Sequence, residues 1–261
     1  MKITAMILSH MNSARFYGKC GAILFGKPIL VWIIERLLEN VDVDEVVAAI
    51  SIEKCDDPLE EMALAAGGRV FRGDAKDLMK RQRGVIEVFK PDYILPVSGD
   101  SPFFDFRIPN RLIAACRKDD DPSQVSYRKA PGDNASFDSA ILTLNHISYY
   151  YWLFSHFMSA PRDLYEKHKE AYWTYVGTYV GTHPCELHSH VDPVNCRKVG
   201  MNYIDCDDIW PKEKTTVKLS IDWALELALW DAVLTWLGYF PNDYNELLSA
   251  YRSITHLEVV E

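Results

Sequence analysis

The sequence has no long hydrophobic run, few cysteines, no surplus of basic residues and no repeated or low-complexity segment, and each absence removes a class of protein. Its longest apolar stretch, Pro28 to Ile34, falls far below the ~18 residues needed to cross a bilayer. Residues 1 to 10 lack a cationic start followed by a long apolar segment. Neither a membrane span nor a secretory leader is expected, and the expected location is the cytoplasm. Six scattered cysteines among 261 residues are too sparse for a disulfide scaffold and read as reduced thiols. Asp and Glu outnumber Lys and Arg by 37 to 28, a net charge of −9, so the surface repels polyanions and nucleic acid is not an expected partner. A small anionic ligand would need a local cluster of cations. Neither a Walker loop nor a G-x-G-x-x-G turn is present, which leaves P-loop and dinucleotide-binding readings without a motif.

What is present is the composition of an ordinary globular protein, 48% hydrophobic and 25% charged, at a length that α/β folds often reach as one unit. Residues 3 to 8 form a short apolar run that reads as a strand covered on both faces. After a polar loop, Ser9 to Gly26, Pro28 suits the first helical position, and Ile29, Leu30, Ile33, Ile34, Leu37 and Leu38 recur at helical spacing. The pattern repeats. Val46 to Ile50 reads as a strand, Asp57-Pro58-Leu59-Glu60 opens a helix with a capping side chain, and Gly67-Gly68 ends it. Arg69 to Phe71 is a further strand, Asp77 to about Lys90 a helix, and Tyr93 to Val97 a fourth strand, in which Pro96 points to a strand end or an edge. Such alternation predicts a doubly wound, mostly parallel sheet with helices on both faces. From about 118 to 200 the rhythm breaks into turn signals and aromatic-rich segments, read as a small inserted α+β subdomain. Thr216 to Ile221 alternates as a strand before a strong helix, Trp223 to Leu237.

In open α/β sheets ligands bind beyond the carboxyl ends of the strands, which directs attention to the loops after the first and fourth strands. The first, Ser9-His10-Met11-Asn12-Ser13-Ala14-Arg15-Phe16-Tyr17-Gly18-Lys19, offers backbone N–H groups, a hydroxyl and two cations four residues apart, the makings of a phosphate cradle. A solvated loop with ordinary ion pairs is the competing reading. The second, Ser98-Gly99-Asp100-Ser101-Pro102, puts a carboxylate at a strand end behind a glycine that would let a ligand approach the backbone, although Gly-Asp is also a common turn. A third feature is Asp222, which ends Lys218-Leu219-Ser220-Ile221-Asp222 and reads either as a metal ligand or as the cap of the following helix.

Taken in order, Met11-x-Ser13-x-Arg15-x-x-Gly18-Lys19, Gly26-Lys27-Pro28-Ile29-Leu30, Val70-Phe71-Arg72-Gly73, Pro91-Asp92, Gly99-Asp100-Ser101-Pro102 and Leu219-Ser220-Ile221-Asp222 resemble the CMP-sugar synthetase family, in particular its spore coat polysaccharide biosynthesis protein F branch, related to the acylneuraminate and KDO cytidylyltransferases. The resemblance implies a nucleotide-diphospho-sugar transferase-like fold and an Mg²⁺-dependent nucleotidyltransferase, which would join CMP from a nucleoside triphosphate, CTP for choice, to a sugar hydroxyl for surface polysaccharide or glycan assembly. It implies that Leu8, Ser9, His10, Asn12, Ser13, Ser98 and Gly99 surround the nucleotide, that Arg15 and Lys19 meet the triphosphate, and that Asp100 and Asp222 hold Mg²⁺, with Arg72 and Arg81 near nucleotide or sugar. It also implies a homodimer formed through the inserted subdomain. The chain departs from the family pattern at Leu8, Ser9, His10, Asn12, Ala14, Phe16 and Tyr17, and at Pro96 and Ala171. One expected arginine is thus His10, largely neutral near pH 7 unless a phosphate holds its proton. Asn12 replaces a glycine and tolerates a left-handed backbone better than most residues.

Other constellations stay open. The substitutions at His10 and Pro96 favour a catalytically silent relative that binds or scaffolds in a glycan pathway. A glycosyltransferase would need a D-x-D metal motif, and the matches are Asp42-Val43-Asp44, Asp119-Asp120-Asp121 and Asp205-Cys206-Asp207. His183, Cys185, His188, His190 and Cys196 could take zinc, but their spacing is not a usual finger pattern. Arg107, Arg128 and Lys129 are candidates for an acidic sugar's carboxylate. The aromatics Tyr149 to Trp152, Phe154 and Phe157 read as core or dimer packing.

Overall fold

The computed structural model describes residues 1–119, 123–126, 142–146, 202–203, 208–209, 217 and 219–255. Strands β1 (Ile3–Leu8), β4 (Glu45–Ser51), β5 (Arg69–Gly73) and β6 (Tyr93–Ser98) run parallel, with β2 (Ile23–Leu24) and β3 (Lys27–Pro28) forming a separate hairpin. Strands β7 (Ser123–Ser126), β8 (Leu142–His146) and β9 (Asn202–Tyr203) extend the same sheet, which has the order β5-β4-β1-β6-β8-β7-β9. β8 is antiparallel to β6 and to β7. The described strands of the stretch expected to form a subdomain therefore belong to the main sheet.

Each inner strand is apolar on both faces, as a sheet covered by helices requires. Met6, Val47, Ala49 and Ile94 face Val85, Ile86 and Phe89 of α3 (Leu78–Phe89). Ile3, Ala5, Ile7, Val46, Ala48, Ile50, Leu95 and Val97 point the other way, into the larger core. That side is covered by α1 (Ile29–Asn40), α2 (Asp57–Ala65), α4 (Arg107–Asp119), α5 (Ala224–Leu237) and α6 (Tyr244–Thr255). The chain winds from β1 outward through β4 to β5, then returns to place β6 on the other side of β1. The topological switch point thus lies between the carboxyl ends of β1 and β6, where a doubly wound sheet opens a crevice.

Several expectations meet local physics that moves them. Asp77 does cap α3, accepting the Lys80 N–H at 2.9 Å. Asp57, by contrast, caps nothing; it and Glu60 hold Arg72 across to β5. Pro96 sits in an inner strand, opposite Met6 of β1, but the described ladder to β8 covers only Tyr93 and Ile94, so its missing N–H lies beyond that pairing. The described residues of 216–221 form no strand: Val217, Leu219 and Ile221 are buried in the core, and Ile221 N–H donates to Asp100 O at 2.9 Å.

Candidate active site

The first loop is built to hold one shape. Met11 O accepts from both Ser13 N (2.9 Å) and Gly18 N (2.7 Å), closing residues 11–18 into a compact turn that Gly18 leaves at φ 75°. Its base is fixed by Asp56, a fully buried carboxylate that accepts Met11 N–H at 2.7 Å through Oδ1 and Ser51 N–H at 2.9 Å through Oδ2. Arg81, buried beneath, donates to Ser9 O (3.1 Å) and Asp74 O (3.1 Å). On the open side Phe16 packs on the core while Tyr17 stands exposed.

The second loop is pressed against the first. Gly99 N–H donates to Leu8 O at 2.9 Å, and a Cβ at Gly99 would lie 2.1 Å from Ser9 Oγ and 2.6 Å from Leu8 O. The glycine is therefore required by Ser9 and Leu8, not by an approaching ligand: the space above it is filled by the protein's own chain. Asp100, the next residue, is oriented by Ser98 Oγ (2.6 Å) and Ser101 Oγ (3.3 Å) on its Oδ1.

Asp222 arrives from the far end of the sequence. It does not cap the following helix. Trp223 is at the N-cap of α5, and Glu226 accepts the Asp222 and Trp223 N–H groups at 2.6 and 3.0 Å, which leaves the Asp222 carboxylate directed elsewhere. Lys19, at the start of the short 3-10 turn Lys19–Gly21, donates Nζ to Asp100 Oδ2 and, at 2.9 Å, to Asp222 Oδ1. Arg15 reaches the same Asp222 oxygen at 2.8 Å. Two acidic side chains more than a hundred residues apart in sequence thus share one ammonium. Burial works against the Lys19 charge, but attraction by and hydrogen bonds to Asp100 and Asp222 outweigh it and raise its pKa. Neighbouring Cys20 is pushed up to about 11 by burial and then by the Asp100 charge.

The structure thus brings Arg15, Lys19, Asp100 and Asp222 into direct contact, with Ser98 on Asp100, Leu8, Ser9 and Gly99 packed beside them, Arg81 bonded to Ser9 O, Ser13 within the loop's turn, and His10 half-buried at the loop's start. Asn12 is exposed on the same loop and does not use the left-handed backbone; among described non-glycine residues Phe25 and Lys90 do. Arg72 is not brought there. Its guanidinium is taken up by Asp57 (2.6 Å), Glu60 (2.7 Å), Ser51 O (3.1 Å) and Glu53 O (2.8 Å), so it ties β5 to α2. Arg107 is likewise held by Asp105 and Asp243. Asp42 and Asp44 lie before β4, at the opposite end of the sheet, with Asp42 on Arg117 and Asp44 on Ile3 N–H. Arg128, Lys129, Ala171, the 149–157 aromatics, Asp205 to Asp207 and the His183, Cys185, His188, His190 and Cys196 group lie outside the described residues.

Sequence reasoning missed Asp56, hidden beside the more conspicuous Asp57, and Arg36. The latter, buried in α1, donates to Phe104 O (2.9 Å), Pro241 O (3.3 Å) and Asn242 Oδ1 (2.5 Å) between the rings of Phe104 and Phe240. It fastens the loop after Asp100 to the turn between α5 and α6, and burial pushes its pKa down to about 10.

The donor set suits a hard divalent cation. Asp100 and Asp222, which meet at Lys19 Nζ, could offer two hard carboxylate donors, and Mg²⁺ is often held by one or two carboxylates with phosphate and water in its other positions; among the described residues no group of three or more His, Cys, Asp and Glu side chains converges. No helix of the described residues is long and apolar enough to cross a membrane.

Residues 4–152 match the family model described as cytidylyltransferase. The spore coat polysaccharide biosynthesis protein SpsF of Bacillus subtilis is 33% identical over 117 residues, 43% of this chain and 49% of that protein. The 3-deoxy-manno-octulosonate cytidylyltransferase of Pelobacter propionicus is 33% identical over 125 residues, 47% of each. The matched stretch spans about half the length of these curated relatives. A solved cytidylyltransferase from Leptospira borgpetersenii serovar Hardjo-bovis superposes with a TM-score of 0.71 at 20% identity, covering 100% of this chain and 99% of that one, a likeness of fold.

Proposed function

The chain belongs to the cytidylyltransferase family, and from that premise we propose that it transfers CMP from CTP to the hydroxyl of a sugar, releasing pyrophosphate. The observation that carries this reading is the convergence of Asp100 and Asp222 on Lys19 at the switch point of the sheet. In the reaction the sugar oxygen forms a bond to the α-phosphorus while the bond from that phosphorus to the bridging oxygen of pyrophosphate breaks. The hydroxyl proton is lost to solvent. Such transfers need little covalent help from protein; positioning and cations do most of it.

The chain's residues divide that work. The turn of residues 11–18, held by Asp56, would wrap the nucleotide, and Arg15 and Lys19 would meet the triphosphate oxygens. Asp100 and Asp222 would hold Mg²⁺, which when bound offsets negative charge on the phosphates. Asp100 is pre-aimed by Ser98 and Ser101, so its own carboxylate needs little reorientation on binding. An acidic sugar is the favoured acceptor, since 3-deoxy-manno-octulosonate, named in the Pelobacter relative, is one. A homodimer in the cytoplasm remains part of the proposal.

The test is pyrophosphate release with CTP and each other nucleoside triphosphate, Mg²⁺, and a panel of acidic and neutral sugars. CTP with an acidic sugar is expected to turn over. Asp100→Asn and Asp222→Asn are each expected to lower kcat by about a hundredfold or more with the fold intact. Absence of release with every pairing, together with CTP binding seen by calorimetry, would leave the catalytically silent binding protein instead.

A further inference from the structure

Lys19 is more deeply placed than a residue that merely greets phosphate needs to be. Its side chain is 6% exposed, against 17% for Asp100 and 8% for Asp222, and its Nζ lies between the two carboxylates, in the position from which a shared cation would contact both. Arg15, 46% exposed, reaches Asp222. We propose that Lys19 is the resident counter-cation of the metal-free site, occupying the ion's place and exchanging the two carboxylates for triphosphate oxygens when metal and nucleotide enter together. This rests on the reading of Asp100 and Asp222 as the metal ligands.

The electrostatics require something of this kind. Two carboxylates that converge on one point repel each other, and the Lys19 ammonium, in contact with both, offsets that repulsion. Lys19 and Arg15 together balance them: two positive groups against two negative. A divalent ion placed between the carboxylates supplies that balance by itself and repels the ammonium. The lysine stem is long and flexible enough to swing, while its backbone stays fixed by the Gly18 turn and by Ala22 N–H on Lys19 O at 3.1 Å. Metal alone must displace Lys19 and leave it without an anion, whereas metal with nucleotide gives it one. Metal and nucleotide therefore bind cooperatively, each strengthening the other by the same factor.

The test compares the full-length protein with Lys19→Met, Lys19→Gln, Asp100→Asn and the double variant Lys19→Met/Asp100→Asn, using Mn²⁺ as the probe. Free Mn²⁺ is measured by electron paramagnetic resonance without nucleotide, and melting is followed in EDTA and in Mn²⁺. Lys19→Met and Lys19→Gln are expected to melt below wild type in EDTA, to regain that loss in Mn²⁺, and to bind Mn²⁺ roughly tenfold tighter than wild type, the effect of removing a competing charge. The double variant is expected to melt above Lys19→Met in EDTA, because removing one carboxylate relieves the repulsion; a lysine that only packs would give two losses that add. Mn²⁺ affinity in both lysine variants equal to or weaker than wild type, or a double variant less stable than Lys19→Met, overturns the proposal. If Asp100→Asn abolishes Mn²⁺ binding while the lysine variants leave it unchanged, the metal site stands and the counter-cation role falls. If Asp100→Asn leaves Mn²⁺ binding untouched, both fall.

Discussion

Replacing Gly99 by alanine addresses the contact that brings the two site loops together. The added Cβ would lie 2.1 Å from Ser9 Oγ, 3.0 Å from Ser9 Cβ and 2.6 Å from Leu8 O. The hydroxyl can turn away. The carbonyl cannot, because it belongs to β1 and accepts the Gly99 N–H at 2.9 Å, just beyond the pairing of Leu8 with Ser98. The ends of β1 and β6 must therefore part, combining about 1–3 kcal/mol of overpacking with about 1 kcal/mol for the lost hydrogen bond. The expected cost is roughly 2–4 kcal/mol, or a fall in Tm of about 4–16 °C for a chain of this size. Urea unfolding with an unchanged m-value measures it. Ser9→Ala removes the nearest obstacle and leaves Leu8 O, so the double variant should recover part of the loss and not all of it. Gly99→Ala should also raise the KM for nucleotide, since Asp100 follows directly. A variant within about 0.5 kcal/mol of wild type, or one restored completely by Ser9→Ala, would refute the packing described for this site.

Asp56→Asn keeps one acceptor but turns an amide donor toward a backbone N–H, so it is expected to cost roughly 2–3 kcal/mol in urea unfolding and to weaken nucleotide binding through the freed loop. The Cys20 thiol, with its folded pKa raised to about 11, should react far more slowly with an aromatic disulfide at pH 8 than the part-exposed Cys55. The raised pKa means that the folded state holds the Cys20 proton more tightly than the unfolded state. That contribution is fully present below about pH 9 and is lost as the pH rises toward about 11, on the order of 2–3 kcal/mol in all, and Cys20→Ala should flatten this part of the stability profile.

Where the hydrophobic period and the end signals agreed, the fold could be read from the residues. The apolar face of α1, the Asp77 cap of α3 and the Gly67-Gly68 end of α2 are local features, and local physics decides them. Helix α4 escaped notice although Ile108, Leu112 and Ile113 mark its buried face, and α6 escaped notice although Asp243 accepts the Asn245 and Glu246 N–H groups at its start. The β2–β3 hairpin was hidden because its turn places Phe25, not a usual turn residue, at φ 46° before Gly26, with Asp231 of α5 accepting the Phe25 N–H at 2.7 Å. The candidate site divides in the same way. Strand-end position singled out Asp100, and the spacing of Arg15 and Lys19 singled out the first loop. Whether Asp222 caps a helix or joins Asp100 on Lys19 depends on a contact between Lys19 and Asp222, 203 positions apart, and only the folded chain decides it. The motif implied a place for Arg72 near nucleotide or sugar, yet the carboxylates that hold it, Asp57 and Glu60, are on α2, the helix just before its strand.

The most direct measurement is the anomalous scattering of Mn²⁺ in crystals grown with CTP. The expected result is a manganese peak bonded to carboxylate oxygens of both Asp100 and Asp222, with Lys19 Nζ moved onto the phosphates. Manganese bound to the nucleotide with neither carboxylate in contact, or CTP seated away from the crevice between β1 and β6, would contradict the account.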